Sequence, residues 1–194
     1  MIRTAIEVLE TRTLFAADAV GSAALDDGAL VVNGTRGSDR IEISVNADDT
    51  TRLDVVINGR TAGTFAMTDV TAGVRADGGN GNDTISVDAA ISIAATLRGG
   101  NGRDTLTGGS GDDRLEGGNG KDGLNGASGD DDLLGGNGSD ALDGGGGADK
   151  LAGGRGKDRV TGGDGDDTFH GDAASEVLDK ADDESVAEKT RGRH

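Results

Sequence analysis

The 194-residue sequence has no cysteine, no proline, no tryptophan and no tyrosine, and its only phenylalanines are Phe15, Phe65 and Phe169. Without cysteine there is no disulfide framework, no thiolate metal site and no cysteine nucleophile. With so few aromatics there is little material for an ordinary packed core. No stretch approaches the roughly 18 consecutive apolar residues of a membrane-spanning helix. The first twenty residues are interrupted by Arg3, Glu7, Glu10 and Arg12, where a standard secretory signal needs an unbroken apolar run. The two histidines, His170 and His194, have neither a neighbouring nucleophile nor a second histidine at ligand spacing, and are read as solvated. Basic residues are also scarce: Lys and Arg number 19 against 36 Asp and Glu, for a formal net charge of −17. That balance excludes nucleic acid as a partner, because phosphate binding draws on clustered cationic side chains. It makes cations the natural counter-charge.

What the chain does have is glycine, 37 residues of it, arranged with a period of nine. From Gly99 to His170 the sequence reads GGNGRDTLT, GGSGDDRLE, GGNGKDGLN, GASGDDDLL, GGNGSDALD, GGGGADKLA, GGRGKDRVT and GGDGDDTFH. A fixed short period is the signature of a repeat architecture. The fourth position is always glycine and the sixth always aspartate. The eighth is always a large apolar residue, namely Leu106, Leu115, Leu124, Leu133, Leu142, Leu151, Val160 and Phe169. Ala127 is the single break in the paired glycines. A further unit, GGNGNDTIS, begins at Gly78. The intervening VDAAISIAATLR reads as one half-coil enlarged by three residues, which extends the array over residues 78–170.

Two glycines, a variable residue and a third glycine allow consecutive backbone conformations that side-chain-bearing residues adopt only at a cost. Such a loop turns its carbonyls inward. The aspartate two residues later adds a hard anionic oxygen, and the apolar residue at position eight lies on a short strand and points into the interior. Stacked units therefore offer cages built only of oxygen. Calcium takes six to eight such oxygens with flexible geometry, whereas zinc and copper prefer the histidine and cysteine ligands that are missing, and magnesium demands stricter octahedral geometry. The expected cofactor is Ca2+. Eight buried apolar side chains are few against the entropy of ordering so much glycine, so folding and metal binding are expected to be one event.

Upstream, GTRGSDRIE from Gly34 keeps Gly37, Asp39 and Ile41 but has lost the second glycine, which marks a decayed unit. Two β-type stretches, residues 53–57 and 61–65, meet at Asn58-Gly59, a hairpin signal. The expected organisation is an N-terminal targeting-like or disordered segment (1–27), irregular β-structure (28–77), the array (78–170) and an acidic tail (171–194). In the tail, Ala174, Val177, Leu178 and Ala181 have the spacing of a short capping helix, although the charge density is equally that of a disordered end.

The units from GGNGRDTLT to GGDGDDTFH closely resemble the RTX, or haemolysin-type, calcium-binding nonapeptide repeat. The resemblance covers residues 78–86 and 99–170, close to half of the chain. It implies an all-β chain with a parallel β-roll, a β-solenoid in which two units form one coil and calcium lies between turns stacked on the same side. One edge would hold Asp83, Asp104, Asp122, Asp140 and Asp158, and the other Asp113, Asp131, Asp149 and Asp167. The lining carbonyls would belong to the second and fourth turn positions: Gly100, Gly102, Gly109, Gly111, Gly118, Gly120, Gly129, Gly136, Gly138, Gly145, Gly147, Gly154 and Gly156. One ion per gap gives about seven calcium sites, with Asp39 as a marginal extra. The resemblance also implies export and a secreted or cell-surface location. LETRTLFAA near the N-terminus is similar to the short LEPR-type segment of some bacterial surface and secreted proteins.

Other readings of the same residues are weaker. The glycine runs lack the Gly-Lys-Ser/Thr, strand and helix of a phosphate loop, and paired aspartates such as Asp112-Asp113 recur with the repeat, as structural ligands do and catalytic carboxylates do not. Glycosylation-type sequons at Asn33, Asn82 and Asn137 are expected by chance. The functional expectation is a calcium-binding structural or interaction module, not an enzyme, that meets cell-envelope or matrix partners. The alternative is the secretion and folding module of a toxin- or hydrolase-related protein whose catalytic part lies elsewhere.

Overall fold

The structure is a computed structural model that describes residues 21–170 and 176–177. Its strands are β1 (Ser22–Asp26), β2 (Ala29–Asn33), β3 (Arg40–Val45), β4 (Arg52–Ile57), β5 (Arg60–Ala66), β6 (Val74–Asn80), β7 (Thr84–Val87), β8 (Ala95–Asn101) and β9 (Thr105–Thr107), followed by β10 (Arg114–Gly120), β11 (Gly123–Ser128), β12 (Asp132–Gly138), β13 (Ala141–Gly146), β14 (Lys150–Gly156), β15 (Arg159–Asp164), β16 (Thr168–His170) and the two-residue β17 (Glu176–Val177). Among the described residues the only helical element is one 3-10 turn at Met67–Asp69.

Each nonapeptide contributes one turn and one short strand, so successive strands alternate between two facing sheets. The first sheet runs β1-β2-β6-β8-β10-β12-β14-β16 and the second β17-β15-β13-β11-β9-β7-β3-β4-β5. Within the array neighbouring strands are parallel and 18 residues apart, as in Leu115↔Leu133 and Leu124↔Leu142. The fold is the expected parallel β-solenoid. The enlarged half-coil is present as well: Val74 pairs with Ala95, 21 residues on, and the loop between β7 and β8 tucks Ile91 into the interior.

Position eight is the core. One sheet stacks Ala76, Leu97, Leu115, Leu133, Leu151 and Phe169 in register. The other stacks Ile41, Ile85, Leu106, Leu124, Leu142 and Val160. All are buried, because a strand places alternate residues on one face, and in the strands from β9 on this is the one large apolar side chain that faces in. The interior is richer at the N-terminal end, where Leu30, Val74 and Ala95 form a second apolar row. In the array that row is continued by the sixth-position aspartates, beginning with Asp113 over Ala95.

The region expected to be irregular β-structure is more regular than its sequence suggests. β2 pairs parallel with β6 and β3 with β7, so residues 29–45 are the first coil of the roll, and the decayed unit supplies its turn. Antiparallel strands close this end. β1 folds on β2 through Asp27-Gly28, both at positive φ (46° and 77°), and β4 and β5 extend the other sheet through Asn58-Gly59 (53° and 74°). The first of these hairpins overruns the expected segment boundary at residue 27, since β1 begins at Ser22. At the other end, the sequence of the tail fits a capping helix and a disordered end equally well, and Val177 has the helical spacing. It lies instead on β17, in parallel register with Val160, because the last strand of the second sheet offers unpaired backbone groups that a strand satisfies and a helix does not. The rest of the tail and the LEPR-type segment lie outside the described residues.

The stack makes neighbouring leucines unequal. Leu133 is fully buried and Leu134 faces outward at 37% exposure. Leu133→Ala is expected to cost about 2–5 kcal/mol in urea unfolding of the folded protein, and Leu134→Ala no more than about 0.5 kcal/mol. Similar losses at the two positions would contradict the inward assignment.

Candidate metal centres

The sixth-position aspartates are nearly inaccessible. Asp83, Asp104, Asp113, Asp122, Asp131, Asp140, Asp149, Asp158 and Asp167 are all 3% exposed or less. Lone carboxylates are costly to bury, so each oxygen calls for a partner. One oxygen has it. The backbone N–H of each aspartate donates to the Oδ1 of the aspartate one coil further on, in Asp83 to Asp104, Asp104 to Asp122, Asp122 to Asp140 and Asp140 to Asp158 on one edge. The same occurs from Asp113 to Asp131, Asp131 to Asp149 and Asp149 to Asp167 on the other. These bonds are 2.7–2.9 Å long. Each carboxylate therefore bridges the gap to the preceding coil.

In most units the second oxygen has no hydrogen-bond partner. Oδ2 of Asp83, Asp104, Asp122, Asp131, Asp140 and Asp149 is buried without a hydrogen-bond donor. Such a group in a native fold requires explanation by an ion, a water or a proton. Among the described residues no three His, Asp or Glu side chains converge as a ready-made cluster, so a cation in the gap would complete its shell with backbone carbonyls. Those carbonyls are at hand. The carbonyls of the second and fourth turn positions are aimed along the stack at the matching glycine of the next coil, and a Cβ on Gly120 would overlap Gly102 O. At Gly120 the backbone is also at φ 144°, so both space and conformation require glycine there. Hard oxygen donors in a flexible cage of this kind fit calcium.

Most of the predicted glycines adopt the expected geometry. Gly100, Gly102, Gly118, Gly120, Gly129, Gly136, Gly138, Gly145, Gly147, Gly154 and Gly156 all lie at positive φ. Ala127 is also held there, at φ 82°, which costs about 1–2 kcal/mol for a residue with a Cβ. Gly109 and Gly111 are different: neither is left-handed. Their turn stacks on the enlarged loop instead of on another nonapeptide turn, with Ser110 N–H donating to Ile91 O at 2.8 Å. In consequence Gly109 N–H donates to Asp113 Oδ2 at 2.7 Å and satisfies the oxygen that is unpaired elsewhere. Asp39 is likewise satisfied, by the Thr35 N–H and hydroxyl and by the Asn58 amide.

The glycine at position one was not singled out in the sequence, although it is present in every unit of the array. A Cβ on Gly99, Gly117, Gly126, Gly135, Gly144 or Gly162 would run into Oδ2 of the aspartate five residues later. The first glycine thus makes room for the carboxylate, while the second and fourth shape the loop.

Burial pushes these carboxyls upward, with neighbouring carboxylates adding to the effect. Asp83, Asp122 and Asp149 rise to about 6 and Asp131 to about 7, and Asp104, Asp113 and Asp140 are raised by the same desolvation. In the metal-free roll these groups hold protons that the unfolded chain, with aspartate near 3.8, has already released.

A parallel roll with glycine turns and a ladder of buried, half-satisfied aspartates defines a structural metal-binding repeat rather than a catalytic fold. The family model for the RTX calcium-binding nonapeptide repeat matches in four copies, over residues 75–89, 94–124, 125–160 and 143–175, together half of the chain. The chain belongs to the RTX calcium-binding repeat family, and its repeats bind calcium ions. Comparisons with curated proteins and with solved structures return no match. No helix among the described residues is long and apolar enough to cross a membrane.

Two expectations follow. Because the folded-state pKa values are raised, the metal-free roll gains stability that is full below about pH 4 and lost as pH rises through 6 to 7. In chelator, circular dichroism should show more β-signal at pH 4.5 than at pH 8; equal signals would contradict the buried ladder. Gly117→Ala should sharply weaken calcium-dependent folding by displacing the Asp122 carboxylate. Gly123→Ala, where a Cβ would meet only Asp104 O at 4.0 Å, should leave the calcium midpoint within about twofold. Equal effects in the same titration would remove the role assigned to the first glycine.

Proposed function

We infer that this chain is an exported calcium-dependent structural or interaction module whose folding is driven by ion binding. The observation that carries this reading is the set of buried Oδ2 atoms of Asp104, Asp122, Asp131, Asp140 and Asp149, which have no hydrogen-bond partner. In the proposed assignment, calcium occupies the gaps bridged by Asp104, Asp122, Asp140 and Asp158 on one edge and by Asp131, Asp149 and Asp167 on the other. The second- and fourth-position turn carbonyls complete each shell. Asp83 Oδ2 adds a candidate gap between the first coil and the array, where the sequence offers only Asp39 as a marginal extra.

Without metal, the raised pKa values and the like charges along each edge oppose folding at neutral pH. With calcium the same carboxylates become ligands and the opposition is removed, so binding free energy becomes folding free energy. Extracellular calcium modules work at about 10⁻⁴–10⁻³ M, well above the calcium range of cytosolic buffers. A chain that stays unfolded until it meets that concentration is suited to passing through an export channel and folding outside. The secreted habit of RTX proteins supports the same location. Cell-envelope or matrix components are the partners this reading assigns to the folded roll, whose outer faces and edges repeat once per coil.

A calcium titration followed by far-UV circular dichroism tests this function. A cooperative gain of β-signal is expected in calcium and not in equimolar magnesium, with the midpoint raised at least tenfold by Asp122→Ala combined with Asp140→Ala. A spectrum unchanged by millimolar calcium would overturn the reading.

A further inference from the structure

The two edges of the roll carry opposite charge outside the metal ladders. The turns that precede Asp104, Asp122, Asp140 and Asp158 expose Arg103, Lys121, Arg155 and Lys157, with no acidic residue among the other turn positions. The turns that precede Asp113, Asp131, Asp149 and Asp167 expose Asp112, Asp130, Asp164 and Asp166, with no basic residue at all. The sheet faces behave differently, because there charges neutralise one another in the pairs Arg98–Glu116, Arg114–Glu116, Arg114–Asp132 and Arg40–Glu42. None of the four basic edge residues forms an ion pair among the described residues. On the acidic edge, Asp112 and Asp130 only accept backbone N–H groups.

We propose that the basic edge of one copy docks on the acidic edge of another, so that calcium-loaded rolls associate side by side. Both edges belong to the same solenoid, so their charges lie at multiples of one spacing, about 4.8 Å per coil, and the uncharged turns before Asp140 and Asp149 leave one gap in each row, so that a row on one copy meets a row on the next in matched steps. The inference rests on the calcium reading. In the metal-free chain the buried aspartates offset the basic edge, whereas each calcium ion brings two positive charges and leaves that edge cationic. The acidic edge keeps its additional exposed aspartates and remains the more anionic of the two. An interface between unlike edges does not close on itself, so association continues into open ribbons. A narrow edge buries less than the roughly 1,600 Å² of a standard interface, so association is weak, concentration-dependent and sensitive to salt, whose screening length is about 10 Å at 0.1 M.

Fifth-position residues allow a charge-swap test with side chains the turns already accept, since lysine stands there at Lys121 and Lys157 and aspartate at Asp112, Asp130 and Asp166. The wild-type chain, Lys121→Asp with Lys157→Asp, and Asp130→Lys with Asp166→Lys would be compared in calcium by sedimentation velocity, with circular dichroism on each sample. The wild type is expected to associate at low salt and to dissociate by about 0.5 M NaCl. Each variant alone should be monomeric, and an equimolar mixture of the two should associate again. A folded wild type that stays monomeric at every salt, or association that neither variant weakens, would overturn the edge interface and leave calcium-driven folding intact. Binding of the basic edge to heparin without any self-association would likewise overturn it in favour of a polyanionic partner. A wild type without β-signal in calcium would overturn both readings. Where one variant fails to fold, the salt dependence and the other variant decide the outcome.

Discussion

Everything in this roll turns on how the aspartate of each repeat is buried. Its side chain leaves the turn, folds back under the first glycine and spans to the coil before it, where one carboxylate oxygen accepts a backbone N–H. That bond sets the register of successive coils as firmly as the strand ladders do. It also commits the other oxygen to the interior with no donor. A carboxylate that is half satisfied in a low-dielectric stack is unfavourable as an anion, and repeating it along both edges makes the repulsion collective. The fold is thus built around a recurring electrostatic deficit of the kind that a bound cation relieves.

The remaining features follow from that constraint. Glycine at position one leaves room for the carboxylate, and glycine at positions two and four lets the carbonyls of adjacent coils approach closely. Nine residues are just enough for one such turn and one short strand, so only a single side chain per unit reaches the core. The apolar stack is correspondingly thin in the array. At the N-terminal end, where Leu30, Ile43, Leu53, Val55 and Ile91 are buried, the roll has a conventional core and a hairpin cover. The same end satisfies its aspartate, Asp39, with Thr35 and Asn58.

Departures from strict repetition are local and have local causes. The enlarged loop before β8 supplies carbonyls and Ile91 in place of a nonapeptide turn, so the turn stacked on it at Gly109 and Gly111 relaxes out of the left-handed conformation and satisfies Asp113 with its own N–H. Ala127 shows the opposite case, a residue kept at positive φ by pairing with Gly145 on the neighbouring strand. Similar units therefore differ in turn conformation and in which carboxylate oxygens are paired, according to what lies above and below them.

Sequence alone determined the period, the inward apolar residue, the sixth-position aspartates and the oxygen-only chemistry of the sites, because each is a property of a single nonapeptide and recurs in phase. The extra three residues between β6 and β8 and the Asn58-Gly59 hairpin were legible for the same local reason. Tertiary structure decided what depends on neighbours along the stack: which oxygen of each carboxylate is paired, that Gly109 and Gly111 leave the pattern, and that Asp39 is satisfied from Asn58, nineteen residues away. It also decided that GTRGSDRIE is a working first coil, and that Val177 continues a ladder instead of a helix. Those outcomes rest on contacts between residues 17 or more apart, where stacking and hydrogen-bond satisfaction override local pattern.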